Sequence, residues 1–487
     1  MTRILPFLLS LGAACVILLS LVELEGARSD VQIRDMVFGQ TPVTEYLGEG
    51  AGQLVVVSHG FAGSRQMMEG IALSIARAGH SVYVFDYLGH GRHPDALSPD
   101  ITTVTGTTED LVQQTLDVVR EAQARSGDDR VALVGHSMAT DVIIRAAERL
   151  NDVNVVIAIS MYSEAVTPTH PKRLLVLSGA QETRLREVAM STLNQVREAS
   201  EGVTVQRDQV MRRAAVAPYV GHVGVLWSPV TSQESVDWLG GKREWFEGEI
   251  APAVTGPWIA GLLAGVFSLF WPLLRLLPKA RARKAPSSLR RAVLSVLIPV
   301  PFAILASCID LPLLGLSGFG ALFLFFAVWG SVGLIVLGWR PVIEARQTVL
   351  SVLLLLIWGL GAFALALDTY GAAFLPIGPR LTLMLALIPA MLVFALSDRA
   401  SVDGRHWLMR LALRIPVVLA LFGAMLLNVA DIGMLFTVLP VFVLFLAVYG
   451  TMAHWAAQRA GPLGPALASG IILAWSIAAS TPLFATA

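Results

Sequence analysis

Nine long runs of apolar residues constrain the fold of this chain more than any other feature of its sequence. The first run covers residues 4–22, and the others begin at residue 258. The later runs are 258–277, 292–314, 318–338, 348–367, 381–397, 415–429, 433–453 and 466–484. Because about 20 apolar residues in a helix span the hydrocarbon core of a bilayer, each run is a candidate transmembrane helix. The sequence therefore predicts an integral multi-pass protein, which we expect in a bacterial cytoplasmic membrane.

The first run is interpreted as a retained membrane anchor within residues 1–30. Its 19 residues are uncharged, Arg3 precedes them, and Glu23 and Glu25 follow. A cleaved signal peptide is the alternative, but its apolar core is normally about 7–15 residues long and is followed by a small-residue cleavage site. This run is longer and continues into Leu-Glu-Gly-Ala-Arg, which favours the anchor.

The basic residues predict the orientation of the helices. With Arg3 in the cytoplasm, alternate loops place 14 basic residues on the cytoplasmic side, and the short loops on the other side contain only Arg380. Six of the 14 lie between Lys279 and Arg291, where binding to anionic lipids is also expected. Lys and Arg are enriched in cytoplasmic loops. We therefore predict a cytoplasmic N-terminus and an extracytoplasmic location for the polar region between the first two spans.

The formal net charge of zero hides parts of opposite charge. Residues 1–30 carry a net charge of −1, residues 31–257 carry −8, and residues 258–487 carry +9. The balance argues against a strongly basic nucleic-acid-binding protein. Only 15% of the residues are charged, against about 25% in a typical soluble domain. The two cysteines, Cys15 and Cys308, lie in apolar runs, so neither a disulfide framework nor a cysteine zinc site is predicted.

Between the anchor and the later spans, residues 31–250 have the pattern of an α/β domain. Short apolar strands alternate with amphipathic helices, which is typical of a parallel sheet covered on both faces. The predicted strands are 53–58, 81–86, 130–135, 153–160, 173–178 and 203–208, after a leading hairpin over 31–48. The predicted helices lie near 65–78, 109–125, 138–150, 184–199 and 232–239. For residues 251–487, the later apolar runs predict a transmembrane domain of about eight helices.

A catalytic serine is predicted at the end of the third core strand. Residues 131–140 read VALVGHSMAT, so an apolar strand runs into Ser137 and a helix follows. This strand–turn–helix context is that of a nucleophile elbow, whose sharp turn needs small residues two positions before and after the nucleophile. Gly135 and Ala139 are small, and His136 and Met138 flank the serine. A serine that merely caps a helix after a strand is the alternative interpretation.

Two further motifs accompany this turn. Residues 55–64 read VVVSHGFAGS, in which an apolar strand leads into His59, Gly60 and Phe61. A tetrahedral oxyanion needs two N–H donors, which the backbone of Phe61 and Met138 would supply. The other motif, VFDYLGHGR over residues 84–92, leads from a strand into a glycine-rich loop. His90 of this motif and the nearby His93 are interpreted as part of a polar loop rather than a metal site.

In this order, HGFAGS, FDYLGHGR and GHSMAT resemble the α/β-hydrolase superfamily, in its serine esterase or lipase-like and aminopeptidase-like branch. The resemblance covers about residues 31–241 and implies the chain order serine, acid, histidine. Glu182, after the strand 173–178, is then the expected acid, with Glu164 as the alternative. His222, which follows Gly221 and precedes the last helix, is the expected histidine, ahead of His170 and His80. Asp is the usual acid in this family, and Glu is an accepted alternative.

The resemblance implies hydrolysis of a carboxylic ester, thioester or amide through an acyl-enzyme on Ser137, without metal or organic cofactor. Many relatives carry a large lid before the acid strand, but only about ten residues, Ser163–Lys172, are available here. We therefore expect an open site suited to a small-molecule or lipid-like acyl substrate, next to membrane lipids. An acyltransferase, or a transport or export protein with a non-catalytic hydrolase-like domain, are the alternative functions.

Four charged residues stand at the predicted outer ends of the spans in the transmembrane domain. Ionisable groups inside a membrane are candidates for function. At an interface the cost of a charge is low, and we expect solvated loop charges. The four are Asp310, Arg380, Asp368 and Asp431.

Overall fold

The computed structural model describes residues 4–50, 52–100, 103–240, 252–281 and 286–486. Contacts divide the chain into two compact units. The sheet unit comprises Leu18–Gly261 with Thr369–Ala373, and the helical unit comprises Met1–Ile17, Leu262–Asp368 and Phe374–Ala487. The domain boundary predicted between residues 250 and 251 lies outside the described residues, as do Arg3, Arg283 and Lys284 of the charge pattern.

Within the described residues, the sheet unit contains one nine-stranded sheet with a parallel centre. The strands are β1 (Gln32–Phe38), β2 (Thr41–Leu47), β3 (Leu54–Ser58), β4 (Ser81–Phe85), β5 (Val131–His136), β6 (Val153–Ile159), β7 (Arg173–Gly179), β8 (Thr204–Arg207) and β9 (Val210–Ala217). Their order is β1-β2-β4-β3-β5-β6-β7-β9-β8. The pairings from β4 through β9 are parallel, and β1, β2 and β8 pair antiparallel at the edges. The predicted mostly parallel α/β fold is confirmed.

Helices cover both faces of this sheet, as a buried parallel sheet requires. Every residue of β3 and β5 is buried, because both strands are continuous apolar runs. Helices α2 and α6 pack on one face against alternate strand residues such as Val55 and Val57. Helices α3 and α4 pack against each other and on β3 to β6, and α5 packs on β7 and β9. These helices are α2 (Glu69–Arg77), α3 (Glu109–Ser126), α4 (Met138–Arg149), α5 (Thr183–Asn194) and α6 (Pro229–Leu239).

The last parallel strand differs from the sequence prediction, which placed a core strand at residues 203–208. That segment forms the antiparallel edge strand β8, and the core position beside β7 is taken by β9. Two arginines in β9 conceal its apolar pattern. The side chain of Arg212 is fully buried, and its guanidinium donates hydrogen bonds to Thr192 O, 2.8 Å away, and to Thr167 O. A charged residue can occupy this core position because backbone carbonyls accept hydrogen bonds from both of its Nη atoms.

Residues 369–373 belong to the sheet unit, although they lie at and just after the end of the fifth membrane-span helix, Ala345–Tyr370. The backbone N–H of Ala373 donates a 2.9 Å hydrogen bond to Ser64 Oγ, and Ser64 follows the HGF motif. Arg28 donates to the Thr369 carbonyl, 2.8 Å away, and forms an ion pair with the buried Glu69. The segment is therefore held at the loop that follows β3.

Among the described residues, nine helices are long and apolar enough to cross a membrane. They are Phe7–Arg28, Gly256–Leu276, Leu289–Ala306, Phe319–Leu337, Ala345–Tyr370, Pro379–Val402, Trp407–Leu427, Val438–Ala460 and Leu463–Ser480. The number agrees with the nine apolar runs, but several bounds differ. The third helix ends eight residues before the predicted end at 314, and the seventh begins at Trp407 instead of 415. The third and seventh helices begin before their apolar stretches, since Arg290, Arg291, Arg410 and Arg414 lie on them.

The first span is the helix α1 (Ile4–Arg28). The fifth span combines two α-helices that are joined by a π-helical segment, Ile357–Ala364. The remaining helices are α7 (Gly256–Leu273), α8 (Leu289–Leu297), α9 (Pro299–Ala306), α10 (Phe319–Leu337), α11 (Ala345–Leu356), α12 (Leu365–Tyr370), α13 (Pro379–Val402), α14 (Trp407–Leu427), α15 (Val438–Ala460) and α16 (Leu463–Ser480).

Helix α13 is at the centre of the packing in the helical unit, between α10 and α16. Glycines allow this close approach. A Cβ atom on Gly330 would lie 2.5 Å from the Phe394 backbone N, and one on Gly470 would lie 2.7 Å from the Leu392 Cα. Small residues at helix crossings are a common way to pack helices in membranes. The backbones of α10 and α16 therefore contact α13 directly.

Two of the four charges expected to be solvated are buried instead. Asp368 is 4% exposed, and its carboxylate accepts hydrogen bonds from Phe374 N and Leu375 N, at 2.7 and 2.9 Å. Arg380 is 2% exposed and donates to the carbonyls of Ala478 and Thr481, at 2.9 and 2.7 Å. Asp368 fixes the segment that follows α12, and Arg380 joins the start of α13 to the end of α16. Asp310 is exposed as expected.

The glycine contact between α13 and α16 predicts a large effect of a single substitution. We expect Gly470→Val to destabilise the protein by about 3 kcal/mol, because the new side chain meets backbone atoms of α13. Thermal denaturation of the detergent-solubilised full chain measures this effect. Gly12→Val is the matched control, since a Cβ there has nothing within 4 Å. Equal melting temperatures for the two variants would contradict the prediction.

Candidate active site

The loops that follow β5, β7 and β9 bring three sequence-predicted residues together. Ser137 comes directly after β5, Glu182 follows β7, and His222 follows β9. These strands are parallel, so their carboxyl ends share one edge of the sheet. In open parallel sheets this edge is where ligands bind. The fold therefore assembles residues that are up to 85 positions apart in the sequence.

Ser137 occupies a strained turn between β5 and α4. Its φ is +54° and its ψ is −119°, a conformation that is unfavourable for a residue with a Cβ atom. A Cβ on Gly135 would lie 3.0 Å from the Ala139 carbonyl oxygen, so the turn needs glycine at that position. Thr140 Oγ1 donates a 2.7 Å hydrogen bond to the Ser137 carbonyl. The turn presents the serine hydroxyl at the top of the strand.

A continuous chain of hydrogen bonds joins the three side chains. Ser137 Oγ lies 2.8 Å from His222 Nε2, and His222 Nδ1 lies 2.6 Å from Glu182 Oε1. In the tautomer that carries its proton on Nδ1, the ring donates a hydrogen bond from Nδ1–H to the carboxylate. Nε2 is then unprotonated and can accept the hydroxyl proton of the serine. The imidazole is therefore oriented for proton transfer from Ser137.

The carboxylate of Glu182 is held by two further donors. Its Oε2 accepts hydrogen bonds from the Gly179 N–H, at 2.6 Å, and from Ser160 Oγ, at 2.8 Å. Burial alone would raise the pKa of Glu182, but the hydrogen bonds from His222, Gly179 and Ser160 hold this pKa below its ordinary value. The group therefore stays ionised opposite the imidazole.

Ser160 is a residue of the site that sequence reasoning missed. It follows β6 directly, is fully buried, and has a φ of +53°. Its place after an apolar strand was the available signal, because the neighbouring strand ends all carry site residues. Glu164, the alternative acid, is exposed, whereas Glu182 is the carboxylate in contact with the imidazole.

The loop that carries His222 is fixed by contacts to β5 and β7. The His136 ring donates from Nε2 to the His222 carbonyl, 2.8 Å away. A Cβ on Gly179 would lie 2.5 Å from the Val220 carbonyl oxygen, so the loop lies directly on the end of β7. Burial lowers the pKa of His136 to about 4, and its ring is therefore neutral at pH 7. His136 positions the backbone of its partner histidine.

The HGF loop after β3 lies against the nucleophile turn. A Cβ on Gly60 would be 2.9 Å from the Ser137 Cβ, so glycine is needed for this approach. His59 is buried, and its Nδ1 donates to the Gly60 carbonyl at 2.8 Å while its Nε2 accepts from Tyr87 N at 3.2 Å. Met138 is the first residue of α4, where backbone N–H groups lack partners within the helix. The loop that carries Phe61 and the start of the helix that carries Met138 thus both adjoin Ser137.

The FDYLGHGR motif supports this arrangement through Asp86. Its buried carboxylate accepts hydrogen bonds from Arg65 N and Arg92 N, at 2.8 and 3.0 Å. The ring of His90 packs against the rings of His59 and Phe61. The motif therefore ties the loop after β4 to the HGF loop.

Among the described residues, no group of three or more His, Cys, Asp or Glu side chains is placed to hold a metal ion. His93 Nδ1 accepts a 3.1 Å hydrogen bond from Asp95 N. His93 thus contributes to the local structure of the polar loop after β4.

The entrance to the site carries exposed side chains. Residues 160–172, all described, connect β6 to β7 without a helix, in agreement with the expected absence of a helical lid there. Near His222, Tyr219 is 91% exposed and Val223 is 48% exposed, and Tyr162 in the connection is 58% exposed. Apolar surface therefore borders the reactive groups.

Comparisons with known proteins find one family model and several similar solved structures. Residues 53–210 match the family model described as alpha/beta hydrolase fold. Similar solved structures include a predicted CIB-like hydrolase from Thermoplasma acidophilum, with 17% identity, 43% of this chain and 97% of that chain covered, and a TM-score of 0.35. A dienelactone hydrolase from Anabaena variabilis has 17% identity, coverage of 43% and 98%, and a TM-score of 0.33. A soluble variant of monoglyceride lipase from Saccharomyces cerevisiae has 11% identity, coverage of 43% and 94%, and a TM-score of 0.30. No curated protein matches the sequence significantly.

The low pKa of His136 predicts a loss of stability in acid. Below its ordinary pKa of 6.5, the unfolded chain binds a proton that the folded state excludes down to about pH 4. As the pH falls from about 6.5 to about 4, the unfolded chain therefore binds a proton at His136 before the folded chain does. The contribution of His136 to the free energy of unfolding is lost over this pH range. We expect the free energy of unfolding to fall by about 3 kcal/mol more in the wild type than in His136→Gln between these pH values. Chemical denaturation at several pH values measures it, and parallel pH profiles would contradict it.

Proposed function

We propose that this chain, whose residues 53–210 match the family model described as alpha/beta hydrolase fold, is a membrane-integrated serine hydrolase. It cleaves a carboxylic ester, thioester or amide through an acyl-enzyme on Ser137. The observation that carries the proposal is the unbroken hydrogen-bond chain from Ser137 through His222 to Glu182, with the serine on a strained turn.

The first half of the reaction forms the acyl-enzyme. His222 Nε2 takes the hydroxyl proton of Ser137 as Oγ attacks the carbonyl carbon of the substrate. The backbone N–H groups of Phe61 and Met138 stabilise the negative charge that develops on the carbonyl oxygen. Glu182 stabilises the imidazolium without taking its proton. His222 then gives the proton to the leaving group, and the bond to the acyl carbon breaks.

The second half releases the acid. A water molecule loses a proton to His222 and attacks the acyl carbon, and the returning proton restores the Ser137 hydroxyl as the acid leaves. The steps use side chains and backbone groups of this chain together with water, so the proposed reaction needs neither a metal nor an organic cofactor.

The nine apolar helices support integration into a membrane. The excess of basic residues at alternate ends of the spans supports a cytoplasmic N-terminus and an extracytoplasmic active site. The apolar side chains at the entrance support a lipid-like acyl substrate. The same acyl-enzyme could pass its acyl group to an alcohol instead of water, and product analysis with and without an alcohol acceptor separates the two outcomes.

Covalent labelling tests both the nucleophile and the side of the membrane. We expect a fluorophosphonate probe to label the wild-type chain in membranes and to leave Ser137→Ala unlabelled, because only an activated serine reacts with it. In intact spheroplasts, a charged probe that does not cross the membrane should label the wild type equally well, because the site faces outward. In-gel fluorescence reads both experiments.

Ser163→Ala is the control for this experiment, since it removes a serine hydroxyl of the β6–β7 connection from the same unit. Equal labelling of Ser137→Ala and the wild type would contradict the serine mechanism. Labelling by the charged probe only after the spheroplasts are lysed would instead contradict the outward orientation and leave the mechanism intact.

Neutralising the acid separates the two candidate carboxylates. We expect Glu182→Gln to lower kcat/KM by about 10³- to 10⁴-fold, because the amide no longer stabilises the imidazolium. Glu164→Gln should retain activity, since its side chain is exposed. Hydrolysis of p-nitrophenyl esters of increasing acyl length measures both variants and the chain-length preference. Loss of activity in Glu164→Gln with retention in Glu182→Gln would reverse the assignment.

A further inference from the structure

The helical unit encloses a group of charged side chains near the C-terminal end of α13. Asp398 and Arg399 lie on α13, and Arg414 lies on α14. The Arg414 guanidinium forms two hydrogen bonds to the Asp398 carboxylate, at 2.9 and 2.6 Å. The side chains of this pair are 11% and 14% exposed. Asp398 is therefore neutralised by Arg414 inside the unit.

Arg399 has no such partner among the described residues. It is 2% exposed, and its Nη1 atom is buried without a hydrogen-bond acceptor among the described residues. A buried charge is strongly unfavourable unless it is paired and hydrogen-bonded. The guanidinium of Arg399 thus has both an unsatisfied charge and an unsatisfied donor.

The surrounding charges leave an excess of positive charge. The charged groups that act on Arg399 are those of Asp398, Asp403, Arg410 and Arg414. Arg399, Arg410 and Arg414 together carry three positive charges, and the two aspartates carry two negative charges. One additional negative charge would balance the group.

A small cavity opens at this position. It is lined by Phe394, Ala395, Asp398, Arg399, Arg414, Phe445, Gly450 and Ser469. Its volume is about 10 Å³, which is about the space that one water molecule needs. A Cβ on Gly450 would lie 2.8 Å from Arg414 Nη1, so glycine on α15 leaves room for the guanidinium. The cavity accepts a single small particle and excludes a phosphate or a lipid headgroup.

We propose that this cavity is a binding site for one monatomic anion of the chloride class. The anion accepts hydrogen bonds from Arg399 and balances the excess positive charge. Phe394 and Phe445 shield the site on its apolar side, and Ser469 also lines it. The site belongs to the helical unit and is independent of the proposed hydrolase chemistry.

Anion-dependent stability tests the proposal. The detergent-solubilised full chain is heated in chloride, bromide or gluconate at equal pH and ionic strength. We expect the melting temperature in either halide to exceed that in gluconate by about 3 °C, with saturation as the halide concentration rises, because the folded state alone binds the ion. The variant Arg399→Gln should show equal melting temperatures in all three salts.

Arg290→Gln is the control, since it removes an exposed cation of the same unit and should keep the full halide shift. Ser469→Val fills the cavity without changing the charge and should abolish the shift, so it tests the proposal even if Arg399→Gln does not fold. A crystal of the wild type grown with bromide should show an anomalous peak beside Arg399. Equal melting of the wild type in halide and gluconate, or the absence of that peak, would overturn the proposal.

Discussion

The parallel pairing of the central strands is the constraint on which the site depends. Parallel strands need crossover helices, and these return each strand to the same edge of the sheet. The strands β3, β5, β6, β7 and β9 therefore end side by side, and a part of the site follows each of them. An antiparallel arrangement would send alternate loops to opposite edges. The parallel direction of the central strands thus also positions the residues of the hydrogen-bond chain.

Within that frame, the site depends on polar groups that are each held by more than one partner. Glu182 accepts from His222, Ser160 and the Gly179 N–H, so its carboxylate has little freedom to turn away. His222 is fixed at its side chain by Glu182 and at its carbonyl by His136. A strained Ser137 can persist only because these neighbours and the buried ends of β5 over-determine the turn. Strain and hydrogen bonding therefore support each other here.

The parts of the fold that the sequence predicts well are those whose signal is local. The apolar strands β3 and β5, the nine apolar helices and the HGF and GHSMA turns all have short-range patterns, and the structure contains them. The acid and histidine loops were predicted from the chain order that the family resemblance implies. Strand β9 was missed because Arg212 and Arg213 interrupt its apolar pattern. Ser160 was missed because its role depends on Glu182, 22 residues later.

The charged residues of the helical unit show why position along an apolar run is a poor guide to their environment. The positions of Asp368 and Arg380 at the ends of apolar runs predict solvent exposure, yet both are buried. The Asp368 carboxylate accepts hydrogen bonds from backbone N–H groups, and the Arg380 guanidinium donates to backbone carbonyls. Asp398 finds Arg414 only because two helices fold back on each other, whereas its neighbour Arg399, one residue further on, finds no acceptor among the described residues. Adjacent charges on one helix point in different directions, since successive residues differ by about 100° around the axis. What decides the cost of such a charge is therefore the partner that the tertiary fold brings to it, and hydropathy carries no information about partners.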